Sequence, residues 1–432
     1  MKQSNALWQA VLDDQRLALD ETGTPAARPP LGQRRRRGFD PAAADGLAAV
    51  SLMRDDEGLL RWVYEPPWQA RQSGRRSWRS YGVDPSKAVQ QFRFSELGNN
   101  TITQRLVDLD QRLTPGQGMQ RWVGHALVAD AQPQVKGRSL LLVHGTFSES
   151  EMFLTELQAT ADGQQLAAQW QDPARYAAVL AFNHPTLSVG AWSNAIDLAR
   201  ALRQVTGPID VVCHSRGGLV VAWLLRLVPV PIERVVFVGS PLVGTSLAAP
   251  DRLRAALDLL ANYADLTQQV GTAVSPVLPL AAGVAALAKI LGKVLHLGSE
   301  LPVVDAALAM VPGLATQQHV ANNLDLRQLF ADDWLRLPQM HGIGVSFKPD
   351  ESNEPLWKFW RRFTHLADQV KYAGADLVFN GPNDLVVDLS SMHQLGEKAV
   401  IPFKDLGTSP TTHHTNYFRD ARVLKEIRTR LG

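Results

Sequence analysis

A single cysteine, Cys213, stands among 432 residues, so the chain can close no disulfide on itself and offers no thiolate cluster to a zinc ion. An excess of either charge is missing as well. The 44 Lys and Arg offset the 42 Asp and Glu to within +2, so no global polyelectrolyte attraction operates and no nucleic-acid partner is expected. Nor is there an unbroken apolar run of membrane-spanning quality. Residues 266–288 carry no charge, but Gln268, Gln269, Pro276 and Pro279 lower their apolarity and interrupt a helix. A helical insertion over an apolar pocket is expected there, and contact of 266–297 with a membrane surface stays open as an intermediate option. The first residues hold no apolar stretch before Asp13 and Asp14, so no cleaved secretory signal is expected and cytoplasmic residence is the default.

What is present describes a globular chain with a sizeable core, at 45% hydrophobic and 20% charged residues. Residues 1–40 end in a basic stretch with Pro25, Pro29, Pro30 and Arg34 to Arg37 and read as a flexible linker. Residues 41–134 carry strand signals, with a hairpin pattern at 48–64 around Asp55-Asp-Glu-Gly and further strands at 89–94 and 121–128. This β-rich module is expected to pack on, or extend, the sheet that follows. Arg71, Arg75, Arg76 and Arg79, interleaved with Trp68 and Trp78, read as a wet loop.

From 135 onward the rhythm becomes strand, helix, strand, helix. Apolar runs at 138–144, 177–182, 209–213 and 234–239 have the continuity of parallel strands covered on both faces, and helices are expected at 150–168, 192–205 and 219–228. This is a doubly wound α/β sheet, with the helical insertion interrupting it at about 250–335. Strands resume at 340–347 and 398–403, around a helix at 356–370, and a terminal helix is expected over 416–431.

The densest chemistry lies in Cys213-His-Ser-Arg-Gly-Gly218, between a β-branched run and an apolar helix. Ser215 sits where the chain reverses, in a small-x-Ser-x-Gly pattern whose tight turn lifts the hydroxyl above the sheet edge. Cys213, on the strand side, is expected to be buried rather than nucleophilic. A serine hydroxyl needs a base, an acid that orients it, and donors for the oxyanion. His144-Gly-Thr146 follows the first core strand and offers the Thr146 N–H as one donor, with His144 steadying the turn; Arg216 offers the second N–H. Asp384, in Asn383-Asp-Leu-Val-Val387, is the candidate acid, ahead of Asp388 and Asp376. His414 is the candidate base, with His413 as the alternative.

Residues 136–432 resemble an α/β-hydrolase of the lipase-like branch, similar to bacterial lipases and inositol-deacylase-like relatives. The likeness is carried by His144-Gly-Thr-Phe, His214-Ser-Arg-Gly-Gly-Leu-Val, Gly239-Ser-Pro-Leu-Val-Gly-Thr and Asn383-Asp-Leu-Val-Val, although Cys213 replaces the usual first glycine. The resemblance implies hydrolysis of esters or thioesters through an acyl-enzyme, with the insertion as a lid over a lipid-like acyl group and no metal or organic cofactor. Cleavage of amides by the same residues, and a catalytically idle scaffold, are the competing expectations. Oligomeric state is not readable from the sequence.

Overall fold

The computed structural model describes residues 47–54, 60–65, 88–95, 100–245, 311–317, 323–330, 337–351, 381–396 and 399–432. Expectations placed on 1–40, on 71–79, on 266–297, on 356–370 and on Asp376 fall outside these residues. The hairpin pattern near the start is formed by β1 (Leu47–Arg54) and β2 (Leu60–Glu65), which pair antiparallel; β3 (Ala88–Ser95) pairs with the other edge of β1. A helix that strand-like readings of this region did not anticipate, α1 (Asn100–Leu113), comes next. The strand expected over 121–128 is two strands, β4 (Gly118–Val123) and β5 (Ala126–Ala129), because Gly124 adopts φ +62° and turns the chain between them.

β4 and β5 belong to the main sheet. With β6 (Ser139–Val143), β7 (Ala178–Asn183), β8 (Ile209–His214), β9 (Ile232–Val238), β10 (Gln339–Phe347) and β13 (Phe403–Ser409) they make eight strands in the order β13-β10-β9-β8-β6-β7-β4-β5. The run from β13 to β7 is parallel, and β4 and β5 close one side antiparallel. The main sheet thus takes in strands from before residue 135. A separate two-residue hairpin, β11 (Gln394–Leu395) with β12 (Ala399–Val400), occupies the place where a strand over 398–403 was expected. The sheet strand is β13 instead, an edge strand whose largely exposed sequence lacks a core strand's apolar run.

Every residue of β6, β7 and β8 is buried, because helices cover both faces of the sheet. Leu141, Val143, Val211 and Cys213 point to one face and pack with α4 (Ala191–Ala201) and α5 (Gly217–Leu227). Leu140, Leu142 and Val212 point to the other, against α2 (Glu151–Gln158), α3 (Ala161–Trp170) and α8 (Ala421–Leu431). The alternation is the two-residue period of a strand. One helix was expected over 150–168, but the chain breaks at Thr160, which caps α3 by accepting from Gly163 N. A Cβ at Gly163 would lie 2.2 Å from Leu157 O, so the corner closes only around glycine. Two short helices, α6 (Pro312–Ala315) and α7 (Leu324–Leu329), are described within the expected insertion. Among the described residues no helix is long and apolar enough to cross a membrane.

The chain goes from β6 to β7 on one side, then returns to place β8 on the other side of β6. That reversal is a topological switch point at the carboxyl ends of β6 and β8, the place where doubly wound sheets hold their ligands. His144-Gly-Thr146 and Ser215 are the first residues beyond those two ends.

Candidate active site

Ser215 links β8 directly to α5 and takes φ +52°, a left-handed conformation unusual for a residue with a side chain. Its own N–H donates to Val238 O at 3.0 Å and its carbonyl accepts from Gly218 N at 2.9 Å, so both sides of the turn are pinned. The neighbouring glycines are forced by contact. A Cβ on Gly217 would fall 2.3 Å from Val143 O, and one on Gly145 would fall 2.6 Å from Ser215 Cβ. The glycine turn after β6 therefore lies directly against the serine.

His414 reaches the same point from the loop before α8. Its Nε2 is 2.8 Å from Ser215 Oγ and its Nδ1 2.7 Å from Asp384 Oδ2. A carboxylate only accepts, so Nδ1 carries the proton and Nε2 is left to accept from the serine hydroxyl. Asp384 is fully buried, and donors fill both of its oxygens: His414 and the Tyr417 hydroxyl (2.8 Å) on Oδ2, Val386 N (3.0 Å) and Val387 N (2.8 Å) on Oδ1. The Asp384 loop is fastened to the His414 loop through the backbone as well, His414 N donating to Asp384 O at 3.0 Å. Only 5% of Ser215 and 6% of His414 are exposed, which strengthens every charge interaction in the cluster.

The remaining expected residues fall as follows. His144 Nε2 accepts from His184 N at 3.0 Å, so its Nδ1 carries the proton and donates to Gly145 O at 2.9 Å. Because C=O and N–H of a trans peptide point opposite ways, this bond turns the Thr146 N–H away from the imidazole. Among the described residues neither Thr146 N nor Arg216 N is engaged by another protein group. The Arg216 side chain is wholly buried, with Nη2 donating to Val189 O at 2.8 Å; burial brings its guanidinium down to about 10, so it remains a cation at neutral pH. His413 turns elsewhere: its Nδ1 lies 3.1 Å from Thr415 Oγ1 and its ring meets Phe347 edge-on. Cys213 is buried in β8 and burial pushes its thiol pKa up, which keeps the sulfur protonated. Asp388 pairs by backbone with Asn383 and lies outside the His414 contacts. No group of three or more His, Cys, Asp or Glu among the described residues is placed to hold a metal ion.

Residues 105–432 match the model of a family described as a domain of unknown function, DUF7379. The chain belongs to that family. No curated protein matches it. Among solved structures it is similar to the mature form of the Bacillus licheniformis lipase BlEst2, at 15% identity over 71% of this chain and 96% of that one, with a TM-score of 0.40. It is also similar to the Cif epoxide hydrolase of Acinetobacter nosocomialis, at 13% identity over 78% and 98% with a TM-score of 0.36. A thermophilic esterase from Thermogutta terrifontis matches at 14% identity over 68% and 90%, with a TM-score of 0.35. The chain of this DUF7379 member has the α/β-hydrolase fold, visible in its mostly parallel eight-strand sheet, helices on both faces and the strand-turn-helix at Ser215.

Two residues of the cluster escaped the sequence reading. Tyr417 gives Asp384 its second side-chain donor; burial holds its hydroxyl well above the ordinary tyrosine range, so it stays protonated and can donate. Its signal was an aromatic with a polar tip three positions after His414. His214 is bonded through Nε2 to the His414 carbonyl at 2.8 Å, and since a carbonyl only accepts, Nε2 carries the proton.

Burial lowers His144, His214 and His413 to about 3 and His184 well below its ordinary range, so these imidazoles add no positive charge around His414 near neutrality. The unfolded chain binds protons at these four sites near pH 6.5, whereas the folded chain does not. Their contribution to stability is therefore complete above pH 6.5 and is lost as pH falls toward 3. Urea midpoints at pH 7.5, 6 and 5 are expected to fall in that order; a flat profile would contradict the buried, neutral state of these rings.

Proposed function

We propose that this chain is a serine hydrolase that cleaves carboxylic esters through an acyl-enzyme. The single observation that carries the reading is the continuous chain of contacts Ser215 Oγ to His414 Nε2 (2.8 Å) and His414 Nδ1 to Asp384 Oδ2 (2.7 Å). His414 Nε2 takes the serine proton as Oγ bonds to the ester carbonyl carbon, and the carbonyl π electrons move onto oxygen. The N–H groups of Thr146 and Arg216 hold that oxyanion, with the first turn of α5 adding its positive dipole end. As the carbonyl re-forms, the alkoxide leaves with the proton from His414. Water, deprotonated by His414, then attacks the acyl carbon and regenerates Ser215. Asp384 keeps the imidazole in the tautomer that can accept and stabilises the imidazolium while it exists.

A lipid-like acyl ester is the proposed substrate class, supported by the uncharged, apolar sequence of 266–288. Each methylene buried on binding is worth about 0.8 kcal/mol, or about fourfold in kcat/KM. A fluorophosphonate probe is expected to label the folded chain, and a series of p-nitrophenyl esters from acetate upward to show kcat/KM rising with chain length. Folded protein that takes no label would favour a non-catalytic scaffold. Labelling with a flat chain-length profile would replace the lipid-like substrate by a short-chain ester.

A further inference from the structure

The side chain of Gln317, two residues beyond α6, lies against Thr146, 171 positions earlier in the chain. Thr146 Oγ1 is 3.0 Å from Gln317 Oε1, and Gln317 Nε2 is 2.7 Å from Gly313 O. The Gly313 carbonyl only accepts, so the amide nitrogen must face it and the amide oxygen is left for the Thr146 hydroxyl proton. Gly313 is itself seated firmly: its N–H donates to Leu187 O at 3.0 Å, and a Cβ there would fall 1.8 Å from Thr186 O. Thr186 and Leu187 are held in turn by the buried Asp110 of α1, which accepts from both of their N–H groups.

The bond to Gln317 is the one hydrogen bond Thr146 makes among the described residues. The main chain of Gln317 extends the connection, its carbonyl accepting from Thr245 N at 2.9 Å. Thr245 Oγ1 donates to Val386 O, and Val386 N donates to Asp384 Oδ1 at 3.0 Å. One buried residue, 7% exposed, thus ties the turn of the first oxyanion donor, through its side chain, to the loop of the acid, through its carbonyl.

We infer that Gln317 is a positioning residue that fixes the Thr146 N–H for the oxyanion, an inference that rests on the serine-hydrolase reading above. An oxyanion exists only near the transition state, so a loosened donor lowers kcat and leaves KM nearly unchanged. Steady-state hydrolysis of p-nitrophenyl butyrate by the full chain tests this. Gln317→Met fills the same space without the amide, and Thr146→Val does so without the hydroxyl. Each is expected to lower kcat about tenfold with KM within about twofold.

Because both variants break the same bond, the double variant is expected to lose about tenfold as well, rather than a hundredfold. Thr146→Ser, which keeps the hydroxyl, is expected to regain most of the Thr146→Val loss. Unchanged kcat in Gln317→Met, or losses that multiply in the double variant, would overturn the assignment. Should Gln317→Met fail to fold, the Thr146→Val and Thr146→Ser pair still decides, since equal kcat in the two would also overturn it. Failure of the underlying reading is distinguishable, because turnover would then survive in Ser215→Ala.

Discussion

Replacing either Ser215 or His414 by alanine is expected to lower kcat for ester hydrolysis by about 10⁶-fold, and replacing both is expected to cost little more. On the proposed mechanism the two groups act as one unit. Without the imidazole 2.8 Å from Oγ, nothing accepts the serine proton; without the hydroxyl, the base has no nucleophile to activate. His413 does not substitute, since its ring is turned to Thr415 and Phe347 and burial holds it near 3 as a neutral group. Neither substitution removes a large apolar contact, so thermal unfolding should stay within a few degrees of the parent and serve as the check on folding. Losses below about a hundredfold would show that another pair of groups does the chemistry.

Asp384→Asn is expected to cost about 10⁴-fold in kcat. All four contacts to the carboxylate come from donors, two to each oxygen. An amide NH₂ in the Oδ1 place would face the Val386 and Val387 N–H groups, and donor would meet donor. In the Oδ2 place it would face Tyr417 and force His414 into the other tautomer, with the proton on Nε2 and no lone pair for Ser215. The positive charge that forms on His414 during the reaction would also lose its neutralising partner, buried where no water can replace it. Stopped-assay kcat values for Asp384→Asn and the parent measure this, and a variant within tenfold of the parent would contradict the role given to Asp384.

Most of the sheet was legible because its central strands are buried on both faces and so appear as continuous apolar runs, as in Leu140-Leu-Leu-Val143 and Val211-Val-Cys213. The elbow was legible for a related reason: Gly217 and Gly218 press on Val143 O and Ser240, contacts that only glycine allows, so the packing leaves its mark as a short pattern. Edges and corners leave weaker marks. The edge strand Phe403–Ser409 has only Phe403 and Leu406 as large apolar residues, and the terminal helix begins at Ala421 because Asp420 caps it after a separate turn at Tyr417–Arg419. His413 and His414 are neighbours in the chain, yet only the path of the loop decides which ring reaches Ser215. His214 and Gln317 make contacts that no local pattern encodes, the last across 171 positions.

The proposed mechanism requires that Ser215 become covalently acylated. Mixing the full chain with excess p-nitrophenyl butyrate, quenching in acid within milliseconds and locating the added butyryl mass by peptide mapping tests it most directly. The acyl group is expected on the peptide containing Ser215. A butyryl group on any other residue, or turnover with no acylated peptide at any quench time together with unimpaired turnover in Ser215→Ala, would contradict it.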